Sequence, residues 1–251
     1  QPTRDQVVFL IRSREGALRL LLSANPASPR AHFTSEAVEN PASPPMFCML
    51  LRKHLAGGRF EAVSQPPMER VLDFSLACTD EFGDPVTKHV ILEIMGRNSN
   101  LILTGGDGRI IDCVRRVDYE MSEQRQVLPG LYYHLPPSQN KLNPAEATLE
   151  DITSLLQQVS TPTRPDGFLM DHFAGLPPLI CRELCYRYDP TLEDLNVLSP
   201  ASRYAFGGWL KAEFQKITTL PQAPYLLLKA GSPWDYTYMP ITQYGTLVES
   251  Q

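Results

Sequence analysis

The sequence lacks the features that mark enzymes and exported proteins. It contains no nucleophile elbow, phosphate-binding loop, dinucleotide-binding glycine motif or paired-histidine zinc motif. It has no apolar run of about 18 residues and no signal-peptide pattern, so it predicts neither a transmembrane helix nor signal-directed export. We therefore expect a cytoplasmic protein and no enzyme of these motif classes. The alternative location is the cell surface, reached without a signal peptide.

Cysteine and histidine are too scattered to predict a disulfide framework or a metal site. The cysteines are odd in number, form no CxxC pair, and are expected to be reduced and mostly buried. Only two of them share helical spacing, and no second pair completes a set of metal ligands. We therefore expect no metal and no other cofactor. The cysteines are Cys48, Cys78, Cys113, Cys181 and Cys185.

Basic residues are fewer than acidic ones, and the formal net charge of −5 excludes a generally basic surface. A local patch that binds nucleic acid is still compatible with that balance. The 251 residues are enough for one large domain or two smaller ones, and the 23 prolines predict many loops.

One stretch without acids stands out in this acidic chain, residues 44–60. Two prolines precede an apolar run and the basic group Arg52-Lys53-His54, and Gly57-Gly58 follows. Proline can precede or begin a helix and glycine can end one, so the pattern predicts a helix with sharp boundaries. We expect Met46–Leu51 to anchor this helix in a core and its basic end to be accessible.

Short alternating segments around this helix predict a β-rich region over residues 1–145. A hairpin is expected at residues 7–12 and 17–23, with a short strand at 30–34. Further strands are expected at 60–65, 70–79, 88–96, 100–104 and 109–115, and residues 105–108 form a tight turn. About seven regularly spaced strands favour a β-sandwich or a barrel-like sheet.

The pattern becomes helical over residues 146–217, with helices expected at 149–159, 168–173, 179–188 and 201–217. Two glycines, Gly207 and Gly208, interrupt the last helix and indicate a bend or a close contact there. Residues 218–251 contain two further strands, at 225–229 and 235–240. We expect them to begin a truncated third region. The fold class predicted is therefore α+β.

Three polar stretches could bind an anion, and each also has a simpler explanation. Arg97 lies in a turn rich in asparagine and serine, where its planar guanidinium suits phosphate or could simply be solvated. Arg115 and Arg116 form a second basic group with acids nearby that could neutralise it. The turn at residues 173–180 resembles a helix–hairpin–helix, although Pro177 and Pro178 remove two backbone donors.

Four separated blocks give the chain a specific resemblance to one family. Residues 39–60 (ENPASPPMFCMLLRKHLAGGRF), 93–103 (EIMGRNSNLIL), 125–144 (RQVLPGLYYHLPPSQNKLNP) and 173–184 (FAGLPPLICREL) resemble the N-terminal NFACT domain. Its members include RqcH-type ribosome quality-control factors, among them bacterial proteins described as fibronectin-binding, and the eukaryotic nuclear export mediator factor. The resemblance covers essentially the whole chain.

The resemblance implies a fold and a function. The fold would be a β-sandwich like the N-terminal domain of formamidopyrimidine-DNA glycosylases, with inserted helices, followed by a helical module with a helix–hairpin–helix. Family members bind the large ribosomal subunit that carries an obstructed peptidyl-tRNA. They recruit alanyl-tRNA and support the addition of a C-terminal alanine tail to the stalled chain.

Only some of the family's functional residues have a match in this sequence. The family's functional arginine matches Arg97, but an aspartate that precedes it in part of the family is replaced here by Gly96, and a histidine that often follows is replaced by Asn98. The acidic residue that the family has near its N-terminus, the coiled coil and the basic C-terminal domain have no counterpart in this sequence. The residues expected to bind tRNA or rRNA are Arg97, Asn98, Arg52, Lys53, Arg59, Arg115 and Arg116.

Two other functional classes follow from the same resemblance. The first is a surface adhesin that binds fibronectin, which the missing export signal and the missing repeats disfavour. The second is a DNA-processing enzyme of the glycosylase type, but the N-terminal catalytic Pro-Glu of those enzymes has no counterpart here. Likeness of fold alone does not establish activity.

Overall fold

The chain begins with a small antiparallel sheet of three strands. Strands β1 (Gln6–Ser13) and β2 (Gly16–Ser23) form the predicted hairpin, and β3 (Arg30–Phe33) pairs with β2 on its other side. In this computed structural model, residues 1–14, 16–137, 139–219 and 223–250 are described. Both the hairpin and the short third strand are confirmed.

A second antiparallel sheet has five strands in chain order. They are β4 (Arg59–Ser64), β5 (Val71–Thr79), β6 (Pro85–Glu93), β7 (Asn100–Gly105) and β8 (Ile110–Cys113). Because consecutive antiparallel strands reverse direction, the connections alternate between two ends of the sheet. We call the end with residues 94–99 and 114–116 the arginine end, and the end with residues 53–59 and 80–84 the helix end.

Helix α1 (Met46–Leu55) is present where the acid-free stretch predicts it. Gly57 follows with a positive φ of 79°, a left-handed conformation that glycine adopts without strain. Only one face of the helix is buried, through Phe47, Cys48, Leu51 and Leu55. The expected burial of the whole run 46–51 is therefore wrong for Met46 and Met49, which are 73% and 48% exposed. A helix turns by about 100° per residue, so a continuous apolar run cannot all face one sheet.

The two sheets and helix α1 share one hydrophobic core. Leu22 of β2, Leu51 of α1 and Leu92 of β6 all belong to it. The other face of the five-stranded sheet packs a smaller cluster that includes Ile91, Ile102 and Val127. Burial on both faces explains why β7 is buried along its whole length.

Four α-helices form most of the C-terminal half. They are α2 (Leu149–Gln157), α3 (Pro165–His172), α4 (Pro178–Tyr188) and α5 (Pro200–Thr219). Gly207 in α5 lies so close to α2 that an added Cβ would be 2.9 Å from the Thr153 Cγ2 atom, whereas nothing lies within 4 Å of one added at Gly208. The predicted close contact is therefore confirmed at the first glycine.

Three short strands follow these helices, β9 (Tyr225–Lys229), β10 (Ser232–Thr237) and β11 (Glu249–Ser250). Leu227, Met239, Ile241 and Val248 pack into the same core as the helices. The chain divides into two compact units, Gln1–Pro137 and Ser138–Gln251. The observed architecture is α+β with antiparallel sheets.

A buried glutamate fastens the last segment to α4. The carboxylate of Glu183 accepts hydrogen bonds from the backbone N–H groups of Thr242 and Gln243, and from the Thr242 hydroxyl and the Arg187 guanidinium. Burial alone would raise the pKa of Glu183, but these four donors outweigh it and lower the pKa below its ordinary value.

Candidate nucleic-acid interface

The turn between β6 and β7 presents Arg97 at the arginine end of the sheet. Residues Gly96–Asn98 form a single 3-10 turn, closed by a backbone hydrogen bond of 3.0 Å from Ser99 N to Gly96 O. The buried Ser99 hydroxyl accepts a second bond, of 2.8 Å, from Met95 N. Gly96 has a positive φ of 55°, a conformation that glycine adopts freely and that asparagine and aspartate tolerate best among the others. The turn is therefore a fixed support for the arginine.

The side chains of Arg97 and Asn98 are exposed. Within the described part of the chain, the Arg97 guanidinium makes neither a hydrogen bond nor an ion pair. An arginine carries its charge at any physiological pH and offers a planar set of N–H donors that matches phosphate or carboxylate. A guanidinium on a fixed turn without a protein acceptor can therefore bind an anion from solution.

Two further arginines lie at the same end of the sheet. The Asn100 side chain, at the start of β7, holds the backbone of Arg115 through two hydrogen bonds, which brings the segment after β8 beside the Arg97 turn. Arg116 follows, 63% exposed, with one guanidinium nitrogen 3.3 Å from the buried Asp112 carboxylate. Four of the predicted residues, Arg97, Asn98, Arg115 and Arg116, are thus collected at the arginine end.

A buried ion pair lies at the end of β6, directly before this turn. Glu93 is 2% exposed, and its carboxylate accepts hydrogen bonds from the Arg125 guanidinium and, at 3.0 Å, from the Tyr133 hydroxyl. The Arg125 guanidinium also donates to His134 O at 2.7 Å and lies 5.2 Å from the centre of the Tyr133 ring. Burial, and then the nearby Glu93 carboxylate, raise the pKa of Tyr133. Arg125 is therefore part of the support and is not free to bind an anion.

The other three predicted residues lie elsewhere. The Lys53 ammonium is 3.7 Å from the Glu81 carboxylate at the helix end, and the Arg59 guanidinium is 3.2 Å from Glu61. Arg52 is exposed on α1 and makes no ion pair with the described residues. Strands β5 and β6 are nine residues long, so the two ends of the sheet are about 26 Å apart at roughly 3.3 Å per residue. The sheet therefore separates the predicted site into two groups.

The histidine of the basic run at the helix end adds no charge near pH 7. Partial burial, and then the neighbouring Lys88 and Lys53 ammonium groups, lower the pKa of His54 from its ordinary 6.5. His54 is therefore neutral near pH 7. The run Arg52-Lys53-His54 contributes two charges and not three.

A cleft of about 610 Å³ adjoins Arg52 in the N-terminal unit. Its walls are mostly apolar and come from β1, from the end of α1 and from the start of β4, including Phe9, Leu55 and Phe60. Sequence reasoning missed this cleft, because its lining residues are scattered between positions 1 and 76 and follow no single period. It also missed the supporting roles of Glu93, Asn100 and Arg125.

Metal-ligand clusters and long apolar helices were sought in the part of the chain that the structure describes. Within it, no group of three or more histidine, cysteine, aspartate or glutamate side chains is arranged to hold a metal ion. The described helices include none that is long and apolar enough to cross a membrane. The five cysteines are all free, and four of them are buried.

Comparison with known proteins supplies the family. The model of the NFACT N-terminal and middle domains matches residues 1–251, the whole chain. The chain belongs to the NFACT family. Among its relatives, the Rqc2 homolog RqcH of Bacillus subtilis is 43% identical over 188 residues, which is 74% of this chain and 33% of that protein. The archaeal Rqc2 homolog aRqcH of Methanocaldococcus jannaschii is 30% identical over 139 residues, 55% of this chain and 19% of that protein.

Solved structures agree with the family assignment. The fibrinogen-binding protein of Staphylococcus aureus matches with a TM-score of 0.77 and 27% identity, over 100% of this chain and 85% of that one. The N-terminal part of the fibronectin/fibrinogen-binding protein of Streptococcus suis matches with a TM-score of 0.73 and 30% identity, over 96% and 81%. This NFACT chain spans about a third of the length of the curated bacterial relatives it matches.

The departures from the NFACT pattern are compatible with the observed turn. The φ of 55° at Gly96 suits glycine and would also be tolerated by an aspartate, the residue that the resemblance implies there for part of the family. Asn98 is exposed, and its amide offers N–H donors at the position where the resemblance often implies a histidine. The backbone of the turn is therefore compatible with either version.

Proposed function

We propose that this NFACT chain is the tRNA- and large-ribosomal-subunit-binding region of a ribosome-associated quality-control factor. The observation that carries the proposal is the Arg97 turn, where an exposed guanidinium without a protein acceptor stands on a buried, hydrogen-bonded support. The relatives named Rqc2 homolog RqcH support the same function.

In this proposal the arginine end binds RNA backbone. Arg97 donates to a phosphate, Asn98 donates to a phosphate or a ribose hydroxyl, and Arg115 and Arg116 contact neighbouring phosphates. Arg52, Lys53 and Arg59 add weaker contacts elsewhere on the surface, since two of these three are already close to glutamates. The chain acts by binding alone, in the cytoplasm, and uses neither a cofactor nor a covalent step.

The partners proposed are alanyl-tRNA and the large subunit that carries an obstructed peptidyl-tRNA. By holding a tRNA there, the protein supports alanine tailing at the C-terminus of the stalled chain. Affinity should fall steeply with salt, because each phosphate that a cation neutralises releases condensed counterions. The two units would correspond to a glycosylase-like β-sandwich with inserted helices and to a helical module with a helix–hairpin–helix at residues 173–180.

The test is to identify the RNA that co-purifies with a tagged copy of the protein, for wild type and for Arg97→Ala. We expect tRNA and large-subunit rRNA with the wild type and a several-fold loss of tRNA with the variant. Arg12→Ala is the matched control, because Arg12 is an exposed arginine in the small sheet. Equal tRNA recovery from wild type and Arg97→Ala would contradict the proposal.

A second candidate is a fibronectin-binding surface adhesin. It is favoured by the likeness to solved structures of a fibrinogen-binding protein and of a fibronectin/fibrinogen-binding protein. Saturable binding of purified fibronectin, together with detection of the protein on intact cells, would support it. We expect any fibronectin binding to be unaffected by Arg97→Ala, which separates the two functions.

A further inference from the structure

Asn100 links the two arginine-bearing segments of the arginine end. It is the first residue of β7, 1% exposed, and it follows the Arg97 turn directly. Its Nδ2 atom donates to Arg115 O at 2.7 Å, and its Oδ1 atom accepts from Arg115 N at 2.9 Å. The amide nitrogen and the amide oxygen of Asn100 therefore both bond to the backbone of one residue, Arg115.

These two bonds continue the sheet past the point where its backbone pairing stops. The last backbone bond on this side of β7 is that from Val114 N to Leu101 O, at 2.9 Å. One residue further on, the Asn100 amide supplies the donor and the acceptor that a strand would otherwise provide. Among side chains of this length only asparagine offers both groups in one plane, because aspartate has no donor and leucine has neither.

We propose that Asn100 is a positioning residue for RNA binding, which holds Arg115 and Arg116 beside the Arg97 turn so that the three arginines act on one stretch of RNA backbone. This inference rests on the proposed function. Asn100 itself is buried and contacts no RNA. It acts by fixing the Arg115 backbone.

The energetic reason is preorganisation. Arg115 and Arg116 lie outside regular strand, where the chain leaves β8. Without the Asn100 bonds the two backbone groups of Arg115 would be left to water. Arg115 and Arg116 would then be held only through their neighbours, by the backbone bonds of Val114 with Leu101 and of Val117 with Val127. Ordering these two residues when RNA binds would reduce affinity although the charges are unchanged.

A second buried polar residue on β7 provides a matched control. Thr104 is also 1% exposed and donates a 3.1 Å hydrogen bond to Gly105 O, but it lies at the helix end of the same strand. Thr104→Val removes a buried hydrogen bond from β7 without touching the arginine end. A loss of binding that came only from a weakened sheet would appear in both variants.

The experiment measures the affinity of the 251-residue chain for unfractionated, uncharged tRNA as a function of salt. The variants are Asn100→Ala, the milder Asn100→Ser, Thr104→Val, Arg97→Gln and the pair Arg115→Gln/Arg116→Gln. Amide hydrogen exchange of residues 114–117 is measured in parallel, without RNA. It reports the coupling whether or not RNA binds, and exchange over the rest of the chain confirms that each variant is folded.

We expect Asn100→Ala to speed exchange at Arg115 and to lower tRNA affinity about tenfold, with a reduction of about 1 in the salt slope. Adding Arg115→Gln/Arg116→Gln to Asn100→Ala should cause little further loss, because both changes remove the same contacts. Asn100→Ser should lie between the alanine variant and wild type. Thr104→Val should bind as wild type does.

Two outcomes would overturn the inference alone. One is unchanged exchange at Arg115 in Asn100→Ala. The other is a wild-type salt slope in Asn100→Ala although the arginine variants lower it, since the proposed function would then stand without the coupling. If neither Arg97→Gln nor Arg115→Gln/Arg116→Gln changes the slope, the proposed function fails at this surface, and the inference fails with it.

Discussion

The two ends of the five-stranded sheet differ in what their cations already contact. At the arginine end, an Arg116 guanidinium nitrogen lies 3.3 Å from the buried Asp112 carboxylate, but Arg97 makes no ion pair with the described residues. The turn that carries Arg97 follows the buried and hydrogen-bonded Glu93. At the helix end, Lys53 and Arg59 are paired with exposed glutamates, and the pKa of His54 is lowered, so that this ring is neutral near pH 7.

The difference shows that a count of basic residues does not tell how many of their charges are unpaired. The helix end looks more basic in the sequence, because Arg52, Lys53 and His54 are consecutive. Exposed ion pairs contribute little to stability, about 0 to 1 kcal/mol, but they still reduce the charge that a ligand would meet. Arg52 on α1 is likewise exposed without an ion pair, so the arginine end differs in carrying its unpaired cation, Arg97, on a hydrogen-bonded turn.

The largest expected effect concerns the support of the turn. Arg125→Met would leave the Glu93 carboxylate buried without its cation, and such a change costs about 3 to 5 kcal/mol of unfolding free energy. The measurement is the unfolding free energy from urea denaturation. Lys53→Met is the matched change at the helix end, where the pair with Glu81 is exposed, and it should cost less than about 1 kcal/mol. Equal costs for the two variants would remove the contrast between the ends.

The next effect is on RNA affinity. Arg97→Gln should weaken tRNA binding by about 1.5 to 3 kcal/mol, roughly the contribution of a hydrogen bond to a charged group, with no change in stability. Filter binding at fixed salt measures it. Lys53→Gln/Arg59→Gln removes two charges from the helix end and should weaken binding less than this single substitution. A larger loss of affinity in Lys53→Gln/Arg59→Gln than in Arg97→Gln would place the RNA at the helix end.

Each end also has a glycine in the left-handed region, which offers a matched backbone change. An added Cβ meets nothing within 4 Å at either Gly57 or Gly96, so alanine is disfavoured only through the positive φ. Gly57→Ala and Gly96→Ala should each cost about 1 to 2 kcal/mol of stability. Only Gly96→Ala should also reduce tRNA affinity, because it strains the turn that carries Arg97. Loss of affinity in both variants would indicate a general effect of instability.

The smallest effect is a pH dependence at the helix end. Because the pKa of His54 is lower in the folded chain than in the unfolded one, the folded state binds fewer protons, and its stability falls as pH drops below about 6.5. His54→Gln should make the urea midpoint less sensitive to pH between about 7 and 5. A variant whose midpoint falls as steeply as that of wild type would show that other groups cause the dependence.

Much of the fold could be predicted from the sequence, because local patterns determine it. Turn or cap residues stand next to a regular spacing of apolar residues in three such places. These are the hairpin of β1 and β2, helix α1 and the turn at residues 105–108. The predicted bounds of strand β6 differ from the observed ones. It covers Pro85–Glu93 and not 88–96, because the turn begins right after the buried Glu93.

The site could be predicted only in part. Arg97 stands out in the sequence because its turn is rich in polar residues, and Arg115 and Arg116 because they are consecutive. The predicted hairpin of residues 100–104 and 109–115 already places the two segments side by side. The bonds between Asn100 and Arg115, which are 15 positions apart, have no local signal in the sequence. The pairing of Arg125 with Glu93 is a contact over 32 positions and likewise has no local signal.

The same limit explains the C-terminal part of the chain. The sequence predicts the start of a further region at residues 218–251, because strands follow helices there. Their attachment to the helical core depends on Glu183, whose carboxylate binds residues 59 and 60 positions further on. A charged residue in a helix normally indicates a solvated face, so its full burial could not be inferred from the sequence.

The central claim is that RNA is bound at the arginine end and not at the helix end. The most direct test is the salt dependence of tRNA binding for wild type, Arg97→Gln and Lys53→Gln/Arg59→Gln, since the slope counts phosphate contacts. We predict that Arg97→Gln lowers the slope by about 0.7 to 0.9, and that the two changes at the helix end together lower it by less. A wild-type slope for Arg97→Gln, with a reduced slope for Lys53→Gln/Arg59→Gln, would contradict the claim.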